Sequence, residues 1–475
     1  MRTSADYRKR LSQMKRNVYI DGDKTGHDDE RLEPGIRVYS QTFDLVNDPE
    51  FKDLLVATSH LTGKKINRFC HLYRSPEDLV KSHELTRKFQ LRLGVCIQRC
   101  GGRDLLNACS AVSYEVDQER GTEYYKRLMN FMKYFEEEDL TSPICITDAK
   151  GDRSLRPGQQ WDPDQYLHIV EKKSDGIVVR GCKQHISMAA YADELVTLPT
   201  RALKKEESDY AVGFVIPADW DNIKLVTTVH SKVRKHYPSP TSQYGGADSF
   251  VIFDNTFIPW ERVFICGEVD VGPRIGVLGA LYHRFNYSAC KPALTEILIG
   301  ATALAAEYNG IERASHVTSK LAELIMVAEL IYAAGTAASM LAEKRPSGTY
   351  VPNETLVHVA RYLAGRNIYH EYQTLADIGG GLAGTLPYEG DFANPEIGDV
   401  LRKYIRRKKG VPEENIHMLW RFINGIVAGE TTGIGQLGAL HGGGSPIMEE
   451  IALRYSYDLE DKKKVVKRLA GIAET

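Results

Sequence analysis

The sequence predicts an α+β fold in which helices form both ends of the chain and strands form the middle. Apolar residues recur at helical spacing up to about residue 140 and again from about residue 275. Between these parts, short β-branched and aromatic runs alternate with turns. We therefore expect an N-terminal helical domain over 1–140, a middle β-barrel-like domain over 141–272 and a C-terminal helical bundle over 273–475.

In the first region, two amphipathic stretches rich in Leu, Lys, Arg and Glu predict helices over 76–98 and 121–135. In the middle region, the runs 168–173 and 177–181 flank a Ser-Asp-Gly turn and predict a β-hairpin. Further strands are predicted at 210–216, 223–229 and 250–253.

In the last region, the stretches 293–308 and 321–344 are rich in Ala and Leu and apolar on several sides. They predict buried helices of a bundle. Pro292 stands inside an otherwise helical pattern, where its ring clashes with the carbonyl of Ser288, so we expect the helix to kink or end there.

Composition limits the class of protein. The chain has 475 residues, of which 43% are hydrophobic and 26% charged, and a formal net charge of −2. This balance gives no support for binding to nucleic acid or to a membrane surface. No apolar run approaches the ~20 residues needed to cross a bilayer, and the first residues lack the hydrophobic core of an export signal. These features predict a cytoplasmic protein.

Three cysteines and one histidine have spacings that suit a metal centre. On a helix, Cys96 and Cys100 would lie one turn apart on one face, and His283 and Cys290 two turns apart. Three thiolates and one imidazole suit zinc or an iron–sulfur cluster. Each pair alone is more often structural. The other five cysteines are expected to act as small, buried hydrophobic residues: Cys70, Cys109, Cys145, Cys182 and Cys266.

Several loops have the composition of a cofactor site. The polar turn Thr147–Arg153 contains glycine, lysine and arginine, which suits a diphosphate, although a plain surface turn is the alternative. It does not match the G-x-G-x-x-G pattern, so no Rossmann fold is implied. The glycine-rich segments 377–387 and 441–446 indicate close backbone approach, either to another helix or to a ligand.

These motifs resemble the 4-hydroxybutyryl-CoA dehydratase/vinylacetyl-CoA isomerase family, part of the 4-hydroxyphenylacetate 3-hydroxylase superfamily. The resemblance covers nearly the whole chain and implies an acyl-CoA dehydrogenase-like fold. The segments that carry it are Gly63-Lys-Lys-Ile-Asn-Arg, Tyr114-Glu-Val-Asp-Gln, Lys150-Gly-Asp-Arg, Asp175-Gly-Ile-Val-Val-Arg-Gly, Tyr282-His-Arg and His441-Gly-Gly-Gly-Ser-Pro.

The resemblance also implies the site residues. Cys96, Cys100, His283 and Cys290 would bind a [4Fe–4S] cluster beside an FAD. The implied catalytic residues are Gln98, Asp248, His283, Tyr287 and Lys291. The implied flavin-binding residues are Ile146, Thr147, Asp148, Lys150, Gly151, Asp152, Arg153, His185, Ile186, Ser187, Leu386, Pro387, Tyr388, Glu389 and Gly390.

The chain departs from the family pattern at two acids. Asp248 stands where the family has a glutamate, and Gly438 stands where it has a second. Glu430, eight residues before Gly438, would compensate if that segment is helical. These changes leave the implied cofactors intact and bear on the substrate and on the dehydratase reaction.

The resemblance implies an enzyme that converts 4-hydroxybutyryl-CoA to crotonyl-CoA and isomerises vinylacetyl-CoA, by a flavin-assisted radical mechanism, as a homotetramer. Three alternatives stay open. One is a paralogue that isomerises or dehydrates another short acyl-CoA, which Gly438 favours. The second is a cluster-free flavin-dependent aromatic monooxygenase, and the third a catalytically inactive subunit. The retained cysteines argue against both of these.

Overall fold

The computed structural model describes residues 1–230, 243–429 and 432–472. The helices before the middle region are α1 Ser4–Gln13, α2 Glu33–Asp44, α3 Lys52–Leu55, α4 Pro76–Leu93, α5 Cys100–Arg120 and α6 Tyr124–Glu137. Those after it are α7 Val271–Asn309, α8 Ser315–Met340, α9 Glu354–Gly379, α10 Leu382–Thr385, α11 Glu389–Ala393, α12 Gly398–Ile405, α13 Glu413–Val427, α14 Thr432–His441, α15 Pro446–Ser456 and α16 Leu459–Ala470.

The strands are concentrated in the middle of the chain. They are β1 Val18–Ile20, β2 Asp23–Thr25, β3 Val56–Thr58, β4 Lys65–Asn67, β5 Ile144–Cys145, β6 His168–Lys172, β7 Gly176–Ser187, β8 Glu194–Thr197, β9 Val212–Pro217, β10 Ile223–Val229, β11 Ala247–Pro259, β12 Val263–Cys266, β13 Glu343–Lys344 and β14 Tyr350–Val351. The predicted α+β class is confirmed, and each strand predicted in the middle region is present.

Two sheets form the β region. The larger has the order β2-β1-β10-β11-β7-β6, and the smaller has the order β12-β9-β8-β5. The predicted hairpin is confirmed by antiparallel pairing of β6 and β7, with His168 opposite Arg180 and Lys172 opposite Ile177. The long strands β7 and β11 of the larger sheet pair in antiparallel orientation and bring Ser187 opposite Asp248.

The first region also contributes to this sheet. β1 pairs in parallel with β10, with Val18 opposite Leu225, and β2 pairs with β1. The mainly helical pattern expected for residues 1–140 did not indicate these strands, because three residues are too few to show an alternating pattern. The division of the chain into three domains therefore stays a prediction.

Three large apolar cores and a fourth, smaller one between α8 and α9 hold the elements together. One joins α1, α2 and the end of α4 to the larger sheet. A second joins α4, α5 and α6 to the smaller sheet and to the first half of α7. The third lies among the second half of α7, the start of α8, α9 and α13. Because the two halves of α7 belong to different cores, the packing of both halves holds the residues of this helix in place.

α4 ends earlier than its apolar pattern predicts. The helix begins at Pro76, with the Ser75 hydroxyl accepting a hydrogen bond from the Asp78 backbone N–H at 3.1 Å. It ends at Leu93, because Gly94 adopts a left-handed conformation with φ +73° and caps the helix. The prediction of a helix over 76–98 is therefore wrong beyond Leu93.

α7 continues through Pro292 and spans 39 residues, or roughly 58 Å. The expectation that the helix ends at this proline is therefore wrong. Pro292 is buried, and α7 packs against α4, α5, α8 and α9. This packing supplies the stability that compensates for the hydrogen bond that proline cannot donate.

Two helices, α7 and α8, are long and apolar enough to cross a membrane by length and composition alone. Core helices of proteins that do not enter membranes pass the same test, and 56% of the apolar window of α7 is buried inside the protein. The match is therefore weak support for a membrane span.

Candidate functional site

The imidazole of His283 is held by a buried carboxylate. His283 projects from α7, and its Nδ1 lies 3.2 Å from Oδ2 of Asp104 on α5. Asn286 Nδ2 donates a hydrogen bond of 2.6 Å to the other oxygen of Asp104. Because Nδ1 of His283 is hydrogen-bonded to Asp104, the other ring nitrogen, Nε2, is the one that can bind a ligand such as a metal.

Cys96 and Cys100 do not share a helix face, contrary to the predicted arrangement. Cys96 lies in the loop that follows Gly94, and Cys100 is the first residue of α5. Between them, Gln98 has φ +56°, in the left-handed region that few residues other than glycine adopt. The loop thus reverses the chain between the two thiols.

The four predicted metal ligands nevertheless come together from three elements. The donor atoms of Cys100, Asp104 and His283 all lie within 4.8 Å of one another. The thiol of Cys290, from α7, hydrogen-bonds with that of Cys96. Cys100 is buried, Cys290 is half-buried and Cys96 is accessible. The result is a pocket lined by three sulfur atoms and one imidazole.

The thiols differ in acidity in the absence of a metal. The hydrogen bond from Cys290, together with the Gln98 backbone N–H and His283, lowers the pKa of Cys96 to about 7. Burial, together with the nearby Asp104 and Cys96, raises the pKa of Cys100. Cys96 is therefore the thiol most readily ionised near neutral pH, and the thiolate is the form that binds metals.

Gln98 links this pocket to a second polar group. A Cβ placed on Gly246 would lie 3.0 Å from Nε2 of Gln98 and 3.4 Å from Nδ1 of His230, so both side chains pack directly against that glycine. Nε2 of His230 lies 3.0 Å from Oδ2 of Asp248. The predicted catalytic residues Gln98 and Asp248 are thus close neighbours, and His230 was not predicted.

Asp248 is held in its ionised form. Burial by itself would raise its pKa, but the hydrogen bonds from His230 and from the Ser187 hydroxyl outweigh burial, and the pKa lies below its usual value. Ser187 is one of the predicted flavin-binding residues. The carboxylate therefore lies between the sulfur-lined pocket and the predicted flavin site.

The first two predicted flavin segments lie side by side. The backbone N–H of Gln184, in β7, donates a hydrogen bond of 2.8 Å to the carbonyl of Thr147. Lys183 Nζ donates to the carbonyl of Ile146 at 3.1 Å and also contacts Asp148. Most of the remaining predicted side chains are exposed on this face: Lys150, Asp152, Arg153, His185 and Ser187. Ile186 is buried behind them.

The third predicted flavin segment, 386–390, lies at the start of α11. The Tyr388 side chain is 82% exposed, and its backbone N–H donates to the Asp391 carboxylate at 2.8 Å. Arg421 contacts the carbonyl of Pro387. In the described part of the chain, no hydrogen bond or ion pair joins this segment to the other two.

Tyr287 and Lys291 already have protein partners. The Tyr287 hydroxyl donates a hydrogen bond of 2.6 Å to the carbonyl of Ala439. Lys291 is buried, donates to the Thr295 hydroxyl at 3.0 Å and forms an ion pair with Glu371, which is also buried. Sequence reasoning missed Glu371, because it lies eighty residues away on α9.

Asp104 was missed too, although a signal for it existed. Asp104 follows Cys100 by four residues, which places both side chains on one face of α5. Arg361 has no comparable signal in the sequence. It lies over the Tyr287 ring at 4.4 Å and donates to the carbonyls of Leu440 and Gly442.

The glycine-rich segment 441–446 lies against α7 beside His283. A Cβ on Gly443 would lie 3.2 Å from Cγ of Arg284 and 3.6 Å from Cδ2 of His283, and Gly443 has φ +81°. Arg284 Nε donates to the carbonyl of Gly443 at 2.8 Å. Of the two readings of this segment, close approach to another helix is the one observed.

Gly438 occupies an open position. It lies on α14, next to Ala439, and a Cβ placed on it would meet no atom within 4 Å. A side chain could therefore begin there without a clash at its Cβ. Glu430, which was considered as a substitute for the missing acid, lies outside the described residues.

Comparison with known proteins gives consistent matches. The profile of the 4-hydroxyphenylacetate 3-hydroxylase N-terminal domain matches residues 3–265, and that of the C-terminal domain matches residues 277–471. The chain is 36% identical, over 99% of both chains, to 4-hydroxybutyryl-CoA dehydratase/vinylacetyl-CoA-Δ-isomerase of Clostridium aminobutyricum. It is 29% identical, over 85% of this chain and 84% of the relative, to a 4-hydroxyphenylacetate 3-monooxygenase oxygenase component of Thermus thermophilus.

Solved structures agree with this. An oxygen-tolerant archaeal 4-hydroxybutyryl-CoA dehydratase from N. maritimus matches with a TM-score of 0.94 and 34% identity, over 100% of this chain and 96% of that one. The oxygenase component of 4-hydroxyphenylacetate 3-monooxygenase, complexed with FAD, matches with a TM-score of 0.89 and 25% identity, over 99% and 98%. The chain therefore belongs to the 4-hydroxyphenylacetate 3-hydroxylase family and, within it, to the 4-hydroxybutyryl-CoA dehydratase/vinylacetyl-CoA isomerase group.

Proposed function

We propose that the protein dehydrates 4-hydroxybutyryl-CoA to crotonyl-CoA and isomerises vinylacetyl-CoA, with FAD and a [4Fe–4S] cluster as cofactors. The observation that carries the proposal is the pairing of Cys100 with His283, whose donor atoms lie within 4.8 Å of each other, beside the hydrogen-bonded thiols of Cys96 and Cys290. The 36% identity to a dehydratase/isomerase over almost the whole chain supports the same reaction.

The residues of the pocket fit the cluster. Iron–sulfur clusters are held mainly by thiolates, and histidine replaces cysteine in some of them. A metal-bound histidine normally donates its second N–H to a carboxylate, and Asp104 occupies that position next to His283. Asp104 is itself fixed by Asn286. The donor set therefore provides both the ligands and the group that orients the imidazole.

The residues along β7 and the preceding loop fit a flavin. Lys150 and Arg153 offer positive charge for a diphosphate, and the Ser187 hydroxyl is exposed on the same face. Tyr388 and its loop form no hydrogen bond or ion pair with these residues in the described part of the chain, and in our proposal a neighbouring subunit completes the site. When bound, the flavin supplies one-electron redox chemistry and the cluster a Lewis-acidic iron.

The reaction sets two tasks for side chains. Isomerisation requires that a proton leave C2 and that a proton be delivered to C4. Dehydration requires in addition that a hydrogen leave C3 and that the C4 hydroxyl leave as water. Asp248 is ionised and can therefore accept a proton, but the hydrogen bonds from His230 and Ser187 that lower its pKa also make it a weaker base than a free carboxylate. His283 is a second candidate base. Tyr287 and Lys291 are engaged with Ala439 and Glu371, which favours positioning roles for them.

A second candidate function is isomerisation without dehydration, possibly of another short acyl-CoA class. The observation that favours it is Gly438, which leaves no acid at a position next to the Tyr287 contact. Isomerisation needs no acid for a leaving hydroxyl, so it is the less demanding of the two reactions.

The oligomer and the compartment belong to the same proposal. We propose a cytoplasmic homotetramer. One face of α8 exposes Ile325, Met326 and Leu330, each about half accessible, as expected of a surface that a partner subunit covers. All eight cysteines are free, which is typical of a reducing compartment. Light scattering on the purified protein gives the subunit number directly.

Anaerobic purification tests the cofactors. The expected result is iron and acid-labile sulfide at four each per chain, together with flavin absorption and formation of crotonyl-CoA from 4-hydroxybutyryl-CoA. Cys96→Ala and Cys290→Ala should lose the iron and the activity. Cys266→Ala is the matched control, because Cys266 is half-buried in β12 outside the pocket. Zinc in place of iron, or equal activity in all three variants, would contradict the proposal.

A further inference from the structure

A second group of metal-ligand side chains lies outside the site described above. His60, His71 and Glu136 each offer a donor atom, and these atoms all lie within 4.8 Å of one another. His60 lies in the turn between β3 and β4, His71 shortly after β4, and Glu136 in the last turn of α6. We propose that these three residues form a zinc site.

Two buried atoms in this group lack partners and point to a missing ligand. His71 is 4% exposed and its Nδ1 has no hydrogen-bond partner. Glu136 is 2% exposed and its Oε1 has none either. Buried polar atoms in folded proteins are nearly always hydrogen-bonded, so two unpaired atoms facing the same group of donors call for a shared partner. A cation between them would satisfy both atoms.

The other atoms of the same side chains are anchored. Nε2 of His71 lies 3.2 Å from Oδ2 of Asp78, which leaves the lone pair of Nδ1 for a metal. The second oxygen of Glu136 accepts a hydrogen bond from the Ser59 hydroxyl. This pattern, in which an outer carboxylate or hydroxyl orients each ligand, is the one that metal-binding histidines and carboxylates adopt.

The donor set favours zinc and leaves one position open. Two imidazoles and one carboxylate bind zinc with water as the fourth ligand. Donor atoms in a tetrahedral zinc site lie roughly 3.4 Å apart, so the observed group would close by about an ångström on binding. His60 is exposed, and with His71 it lines a surface cavity of about 320 Å³ that gives solution access to the site.

The cationic side chains around this cavity are already paired. Arg68 contacts Asp78 at 3.0 Å, Lys81 contacts Glu77 at 2.8 Å and Arg74 donates to the carbonyl of Ser347 at 2.9 Å. Lys65 donates to the Thr58 hydroxyl at 2.9 Å. Each of these cations therefore has a protein partner of its own, and Arg74 also lies close enough to His60 to contribute, after burial, to lowering the pKa of that imidazole.

Zinc binding to the intact holoenzyme tests the proposal. Protein dialysed against a chelator that leaves the iron in place should bind one zinc per chain. Zinc K-edge X-ray absorption should show nitrogen and oxygen ligands near 2.0 Å and no sulfur near 2.3 Å. A sulfur shell would place the zinc at the cysteines and would overturn the proposal, as would the absence of bound zinc.

Variants distinguish the site from surface binding. His60→Ala should weaken zinc binding at least about 10-fold, because it removes one of three ligands. This side chain is exposed, so its loss should leave the fold intact. Glu136→Gln should have a similar effect. His316→Ala is the matched control, since His316 is exposed at the start of α8 and should not change the zinc affinity. If His60→Ala binds zinc as wild type does, the assignment is wrong.

Discussion

Nδ1 of His283 lies 3.2 Å from a carboxylate oxygen of Asp104, and the Asp104 side chain has no exposed surface. This contact fixes the orientation of an imidazole that is itself about one quarter exposed. It links α5, which begins at Cys100, to α7, which carries Cys290. A single buried carboxylate therefore sets the relative position of the predicted metal ligands.

Removing this carboxylate should weaken the metal centre. Asp104→Asn keeps the size of the side chain and a partner for Asn286, but it no longer supports a charged or metal-bound His283. We expect a 10- to 100-fold loss in metal affinity or activity, as is common for outer-shell residues. Iron per chain and the rate of crotonyl-CoA formation measure this loss.

Asp399→Asn is the matched control for this experiment, because Asp399 is fully exposed on α12 and far from the pocket in sequence. A variant Asp104→Asn with wild-type iron content and rate would show that His283 is oriented by its other contacts alone.

The buried pair Lys291–Glu371 should matter for stability. Glu371→Gln leaves the Lys291 ammonium buried without its countercharge, which typically costs about 3 to 5 kcal/mol in the free energy of unfolding. The double variant Lys291→Met/Glu371→Leu removes both charges and should cost far less. Urea unfolding of wild type, Lys291→Met, Glu371→Leu and the double variant measures the coupling.

The same variants decide what Lys291 does in the reaction. If Lys291 only positions α7 against α9, the folded double variant should retain most of the isomerase rate. If it touches the substrate, the double variant should be folded but inactive. Additive losses in the stability cycle would contradict the proposed pairing.

The two missing acids should affect dehydration more than isomerisation. Asp248 holds its carboxylate about 1.5 Å short of a glutamate, and a displacement of about an ångström can cost on the order of 100-fold. Asp248→Glu and Gly438→Glu should therefore raise the dehydration rate, up to that order, and change vinylacetyl-CoA isomerisation much less.

Gly438→Ala is the control for the second variant. It makes the same change in helix propensity without adding an acid, and a Cβ at this position meets no atom within 4 Å. If wild type already dehydrates at full rate and neither glutamate variant is faster, the two acids are not needed in this protein.

Local sequence patterns were enough to predict much of the fold. The strands at 168–187, 212–217 and 223–229 follow from alternating β-branched runs, and the long helices α7 and α8 from their apolar composition. The sequence likewise predicted that His283, Tyr287 and Cys290 share one helix face. This prediction is confirmed, because all three lie in the continuous helix α7 at intervals that match its repeat. The family was also identified from motifs in the sequence.

What the sequence by itself determined is therefore the α+β class, the family and the identity of the four candidate metal ligands. Tertiary structure alone decided how those ligands meet: Gly94 ends α4, so Cys96 reaches the pocket from a loop rather than from a helix. It also supplied the partners Asp104, Glu371 and His230. The physical reason is that helix and strand periods act over a few residues, whereas these contacts join side chains brought together only by packing of separate elements.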